Sequence, residues 1–534
     1  MYRYVRTPVP DLPGDQSTRF SEVKTFTRLD LNLTPKNVFN VTVATFPQQA
    51  DHTNLNTFNL TPVSTNFRQA GFNVAGSDRA TLSGSMLLES TLALKQYDVR
   101  VFGQGTADML VTPEGNFGNY FNRQTRNSTT YQWVESLTMT FKGVAGEHLV
   151  KVGADVLQAS YDGTMSSSPV NILAENGSLV QRIAFGPAGT VYPQQVKSTE
   201  VALVAQDHWR PNDRVLIEFG GRVDHDGVLE RNNVTPRIGG AVGLLPEGRT
   251  VLRGGIGLFY ERTPLNVGAF ETLEPRTIID YAADGVTIAA PPVTYVNRLS
   301  TDLQTPYSRI WNLELDHRLN DSWSVKVNHL ERDGHNEFIV NPTDVPTPTI
   351  LLTTSGQSRY VETEFGVRFA HGDHFETTVS YVRSHGTADL SGFDQYFGNA
   401  RNPIVQPNQY GLINTDAPNR VVIRGSYLLP WKLQFDPLID IRDGFPYSAI
   451  AENQSYLGQR NGAGRFPLFK SFDFSASRPV KIWKYRATIG VRLFDALGTF
   501  NPRDVQQNIA SPNFGGFFNG VPRDFQTFVE LARW

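Results

Sequence analysis

RVLIEFGGRVDHD, residues 214–226, alternates between apolar and charged side chains. Val215, Ile217, Phe219 and Val223 fall on one parity, and Arg214, Glu218, Arg222, Asp224 and Asp226 on the other. Successive side chains of a strand point to opposite faces, so this stretch makes a strand with one greasy and one ionic face. The greasy face must meet either a packed protein core or the hydrocarbon of a bilayer, and the function turns on which.

The pattern recurs from end to end. VKTFTRLDLNL sets Val23, Leu29, Leu31 and Leu33 against Arg28, Asp30 and Asn32. IWNLELDHR sets Trp311, Leu313 and Leu315 against Asn312, Glu314, Asp316 and Arg318. WSVKVNH and VETEFGVRF repeat it, with Lys326, Glu362, Glu364 and Arg368 on the polar side. About nineteen such stretches, each roughly ten to thirteen residues long, can be traced. Short turns (TPKN, RPND, LNDS, AHGD) alternate with long Pro-, Gly- and Asn-rich connections at residues 263–305, 333–357, 385–417 and 445–466. No fixed repeat of a propeller type is present.

Composition narrows the class further. The 534 residues include 45 Gly, 32 Pro, 34 Phe and 19 Tyr, a profile of strands and turns. A net charge of −3 leaves no cationic footprint for nucleic acid. With no cysteine, disulfides, thiolate metal sites and a cysteine nucleophile are excluded. No run reaches the roughly 18 apolar residues of a membrane helix. The opening MYRYVRTPVPDLPGDQSTRF lacks the apolar centre of a signal peptide.

Strand length and charge decide between core and lipid. Sandwich strands are usually about five or six residues long, whereas a tilted membrane strand needs about 9–11. Each Arg turned to lipid near the midplane would cost about 2–4 kcal/mol; facing a wet lumen it costs little. The expected fold is therefore an all-β transmembrane antiparallel barrel of about 19–22 strands, with short periplasmic turns and long extracellular loops. Its first and last strands are expected to pair, because an open edge in a bilayer leaves its amides unsatisfied. Arg214, Glu218, Arg222, Arg253, Glu314, Asp316, Lys326, Glu364 and Arg368 are the candidate lumen-facing charges. Trp209, Tyr260, Trp311, Trp323 and Tyr381 are candidates for the aromatic belts at the membrane interfaces.

Several longer stretches resemble one family in ordered succession. WVESLTMTFKGVAGEHLVKVGAD (133–155), VAQDHWRPNDRVLIEFGGRVDHD (204–226), TPRIGGAVGLLPEGRTVLRGGIGLFYERTP (235–264), LQTPYSRIWNLELDHRL (303–319), DAPNRVVIRGSYLLP (416–430) and RFPLFKSFDFSASRPV (465–480) are similar to segments of the TonB-dependent outer-membrane receptors, particularly the Oar-like group. The resemblance covers most of the chain from Trp133 onward. It implies residues 21–534 as the receptor barrel, with residues 1–20 a lead segment or the remnant of an upstream strand. Nothing in the chain resembles the family's plug, TonB box or signal peptide, so these are expected upstream of Met1. Implied partners are outer-membrane lipid, the transported solute and, through the plug, the TonB–ExbB–ExbD complex, with the barrel monomeric. The terminal strand DFQTFVELARW ends in an aromatic, as in the family, but Phe525, Val529 and Leu531 take the parity opposite to Trp534.

Catalytic, cofactor and metal sites are not expected. In Asp224-His225-Asp226 neighbouring side chains point to opposite faces, so the three cannot surround one ion. His371-Gly372-Asp373-His374 reads as a tight turn. Arg253-Gly254-Gly255-Ile256-Gly257 is no phosphate loop, since a strand and no helix follows; its glycines are expected to relieve crowding on the lumen face or to meet a plug. The ten His are scattered without a hydrolase constellation. Ligand contacts are expected in outer loops, with NRQTRNSTTYQW (122–133) and NQSYLGQRNGAGRF (453–466) as candidate stretches. The expected function is energised uptake of a scarce solute. A passive porin-like channel, an adhesive surface barrel and a soluble multi-domain β protein are the alternatives.

Overall fold

The computed structural model describes residues 2–10, 12, 16–143, 145–482 and 485–532. The stretch RVLIEFGGRVDHD forms the strand Val215–Asp226, which pairs antiparallel with Tyr192–Asn212 and Arg231–Gly243. Register sets Leu203, Val223 and Val234 in one row, and Phe219, Ile238 and Ile256 in another. A packed core would bury such side chains, yet Leu203 is 61 % and Ile238 55 % exposed. The apolar parity faces outward with no protein layer over it. The other parity turns inward: Asp226 is buried and accepts hydrogen bonds from the hydroxyls of Thr263 and Thr305 in the following long connection.

Twenty-nine strands join in one hydrogen-bonded sheet among the described residues. The long ones form an up-and-down antiparallel meander from Thr25–Thr34 to Asp524–Ala532. Parallel pairings involve strands of the long connections: Val170–Leu173 beside Met109–Thr112, and Val293–Leu299 beside Thr349–His371. The sheet curls round on itself, because loops from opposite ends of the sequence meet. Thr57 donates through its backbone N–H (2.9 Å) and hydroxyl (2.8 Å) to Asp504, and Phe58 meets Phe518 edge-on. The expected ladder between first and last strands is not formed among the described residues. Thr25–Thr34 pairs with Asn37–Thr45, and Asp524–Ala532 with Tyr485–Phe494. A further strand, Tyr2–Pro8, pairs with Ser17–Val23. Trp534, whose parity the sequence singled out, lies outside the described residues.

The connections differ from expectation in two places. Residues 333–357 are not a loop: Trp323–Thr343 and Thr349–His371 stay paired far beyond the bilayer, and only residues 344–348 turn. NRQTRNSTTYQW is not a loop either. It is the upper part of Asn122–Gly143, hydrogen-bonded to Met86–Phe102 on one side and Gly146–Ser167 on the other, so its polar residues are wall.

The packed apolar core lies inside the mouth of the barrel. One cluster gathers Met165, Val267, Phe270, Leu273, Val340, Ile350, Leu352, Phe393, Tyr396 and Phe397. A second gathers Val63, Met109, Val111, Tyr120, Phe121, Val170, Ile172, Ile183 and Phe185. Nearly all of these belong to the long connections or to the strand ends next to them. Each connection is too short of apolar residues to fold alone, and together they bury a shared cap.

Candidate functional site

The inner face carries a charge network built across four strands. Arg253, on Thr250–Tyr260, bonds Glu314 (3.0 Å) and Asp316 on the neighbouring Tyr307–Arg318. Lys326 bridges Glu314 (3.5 Å) and Glu364 (3.2 Å), and the Ser380 hydroxyl donates to Glu364 (2.7 Å). The structure thus brings together Arg253, Glu314, Asp316, Lys326 and Glu364. Three other candidates pair locally: Glu218 with His208 (2.7 Å), Arg222 with Asp224 (3.2 Å) and Arg368 with Glu376 (2.8 Å). Arg214 stands apart in a short turn, its backbone N–H held by Asn212 Oδ1 (2.9 Å).

Beside the network the wall is hollowed. Gly239, Gly255 and Gly257 line a recess of about 610 Å³ together with Gln206, Arg237 and Asn312. A Cβ on Gly257 would come 3.0 Å from the Phe259 ring and 3.1 Å from Arg237 Cβ, so a larger residue there would push one of these side chains aside. In the Asp-His-Asp stretch, Asp224 and Asp226 turn inward while His225 faces Asn232 (2.9 Å).

The candidate aromatics sit at two heights. Trp209 and Trp323 lie at the short-turn end. Trp209 stacks on His148 (5.8 Å) and donates its indole N–H to the Ala145 carbonyl (2.8 Å); Trp323 packs on Phe369 (4.8 Å). Tyr260, Trp311 and Tyr381 lie toward the long loops. Tyr260 packs on Tyr307 (5.2 Å), Trp311 on His329 (5.0 Å), and Tyr381 donates its hydroxyl to Asn419 Oδ1 (2.9 Å). Each offers an apolar ring and a polar handle, the combination an interface stabilises.

Sequence reasoning missed the junction that ties the cap to the wall. Glu274 and Arg401 are 0 % and 1 % exposed and pair at 2.6 Å across two connections. Ser167, on the wall, donates its hydroxyl to the same carboxylate. The Arg401 backbone N–H donates to the Tyr120 oxygen (2.7 Å), and Gln124 Nε2 donates to the Asn399 carbonyl (3.1 Å). Arg276 donates to the Pro403 carbonyl (2.9 Å); burial, reinforced by Arg401 beside it, pushes its guanidinium down to about 9. Charges set between apolar residues in LEPRTIID and FGNARNP were the available signal.

An exposed apolar exterior, a charged inner face and connections packed against that face are the marks of a membrane-spanning barrel wall. Residues 8–258 match the sequence model of the family described as "TonB dependent receptor-like, beta-barrel", and residues 228–455 that described as "Outer membrane beta barrel domain". The chain is a TonB-dependent receptor-like barrel of the outer membrane. As such it resides in a Gram-negative-type cell envelope. No curated protein sequence matches this receptor barrel. In fold it is similar to the outer membrane transporter YddB from Escherichia coli (12% identity, TM-score 0.70, 99% of this chain and 71% of that one). It is also similar to the ferric citrate transporter FecA in unliganded form (11%, 0.64, 99% and 73%) and to the siderophore receptor PirA from Acinetobacter baumannii (11%, 0.66, 96% and 71%).

Proposed function

We propose that the chain is the transport barrel of an energy-coupled receptor that imports a scarce solute: an oligosaccharide, a peptide or a metal chelate. The observation that carries this reading is the cap. The long connections bury two apolar clusters and an ion pair against the inner wall, and a passive pore gains nothing from such packing in its mouth. The transport role of the neighbouring folds supports it, as does the absence of any catalytic grouping in the reading of the residues. In this reading residues 21–534 form the barrel and residues 1–20 a lead segment. The barrel works as a monomer coupled through a plug to TonB–ExbB–ExbD, and the Oar-like group is the kin its segments resemble. The charges from Glu218 to Arg368 line the water-filled lumen, and the five aromatics anchor the wall at the two interfaces.

The test uses the full-length gene product in its own outer membrane. Uptake of the solute should stop when TonB is deleted or the proton gradient is dissipated. A large ungated conductance of the full-length product in liposomes would instead make it a passive channel. Unchanged growth of a deletion strain on every candidate solute would point to an adhesive barrel.

A further inference from the structure

A row of polar side chains crosses the lipid-facing surface. Register places Asp78 opposite Ser90, and Ser90 opposite Glu135, on Asn66–Ser83, Met86–Phe102 and Asn122–Gly143. The Ser90 hydroxyl donates to Glu135 Oε1 (2.8 Å), and Asn37 Nδ2 donates to Asp78 Oδ2 (3.2 Å). These residues share the outward parity with Leu92 and Trp133, one register step above, which are 65 % and 43 % exposed. Leu88 and Leu137 lie one step below on the same face. At about 3.3 Å per residue and a tilt near 40°, the row climbs across the wall: Asn37 directly follows its short turn, Asp78 and Ser90 stand about 13–15 Å above theirs and Glu135 about 20 Å above its own, the last three within the roughly 25 Å apolar band. Farther round the wall the outward rows Leu203–Val223–Val234 and Phe219–Ile238–Ile256 are wholly apolar.

Acyl chains offer these carboxylates no donor. Among the described residues neither Asp78 nor Glu135 has a cationic partner, and Asp78 Oδ1 and Asn37 Oδ1 are buried with no hydrogen bond. Directly above the row lies an outward groove of about 440 Å³ between Val74, Leu92, Leu94, Tyr131, Trp133 and Val156. Gly76 forms part of its floor, where a Cβ would meet nothing closer than the Phe39 ring at 3.5 Å. Polar groups kept at this depth, beside a groove with a bare floor, point to an occupant other than lipid. A second copy docking by a two-fold axis would set carboxylates against carboxylates, so charge complementarity excludes it.

We propose that this face docks a second membrane protein whose embedded segment brings a Lys, Arg or hydroxyl-bearing side chain to Asp78 and Glu135 and an apolar ridge to the groove over Gly76. The proposal is independent of the cargo and of energy coupling.

Photo-crosslinking in outer membranes of the native cell tests it. A photoreactive amino acid at Leu92 should give one discrete heavier adduct, and the same amino acid at Leu203 none. The crosslinked peptide should map to a lipid-embedded segment carrying a Lys, Arg, Ser or Thr. The double change Asp78→Asn with Glu135→Gln should cut the yield at least tenfold while heat-modifiable migration shows the barrel folded. Gly76→Leu, which fills the groove without touching the polar row, should do the same and guards against misfolding of the double variant. Adducts to lipid only, an adduct of twice the chain's mass, equal yield from Leu203, or a yield indifferent to both variants would each overturn the proposal.

Discussion

Glu218 and Phe219 are neighbours in the chain and point to opposite faces of the sheet. Phe219→Arg should lower the stability of the barrel in phospholipid vesicles by about 2–4 kcal/mol, read from urea titration of folding. Glu218→Gln should cost less than about 1 kcal/mol, since its pairing with His208 is half exposed. Equal costs would remove the assignment of the two faces. These residues were legible in the sequence because alternation alone sorts them. Glu274 and Arg401 were not, since 127 residues separate them and neither sits in a periodic stretch. Arg401→Met leaves the Glu274 carboxylate buried and unpaired, a loss of about 3–5 kcal/mol. The expected result is rapid protease cleavage within residues 398–409 with the barrel still heat-modifiable. Adding Glu274→Leu should restore much of the protection; no restoration would show that the ion pair is not what holds the connection.

At the scale of elements, the sequence located the strands that cross the bilayer and misplaced their upper ends. The hairpin Trp323–Thr343 with Thr349–His371 continues through HNEFIVNP and TILLTTSGQS, where the register slips at His335/Glu337 and Glu337/Ile339. Each slip exchanges the faces, so the alternation that marks a strand is interrupted just where pairing persists. The cap elements have a pH signature of their own. Burial pushes the Tyr120 phenol up to about 12, while an unfolded tyrosine titrates near 10. The folded cap therefore holds this proton more tightly, and the stability it contributes is complete below pH 10 and lost as pH rises toward 12. Hydrogen exchange in Val170–Leu173 and Leu179–Phe185 should accelerate over that window while Tyr192–Asn212 stays protected. Tyr120→Phe should flatten the response. Uniform acceleration across barrel and cap would sink the idea.

On the scale of the whole molecule, the packed connections should limit the current the barrel carries. Excising residues 391–409 should raise the conductance of the reconstituted chain several-fold and leave its migration heat-modifiable. Unchanged conductance would mean that another element blocks the lumen, and that the connections serve only to bind.

The sequence by itself determined that strands of membrane-spanning length carry an apolar face outward and an ionic face inward. That information is local: a period of two and the cost of charge in hydrocarbon read it off any ten residues. Only the tertiary structure decided which of the inward charges share one network, and that the Pro- and Gly-rich connections pack into two apolar clusters with the Glu274–Arg401 pair buried beside them. Those contacts join segments more than a hundred residues apart. Their stability comes from mutual burial when the sheet curls, and no short window of the chain records which partners that will bring together.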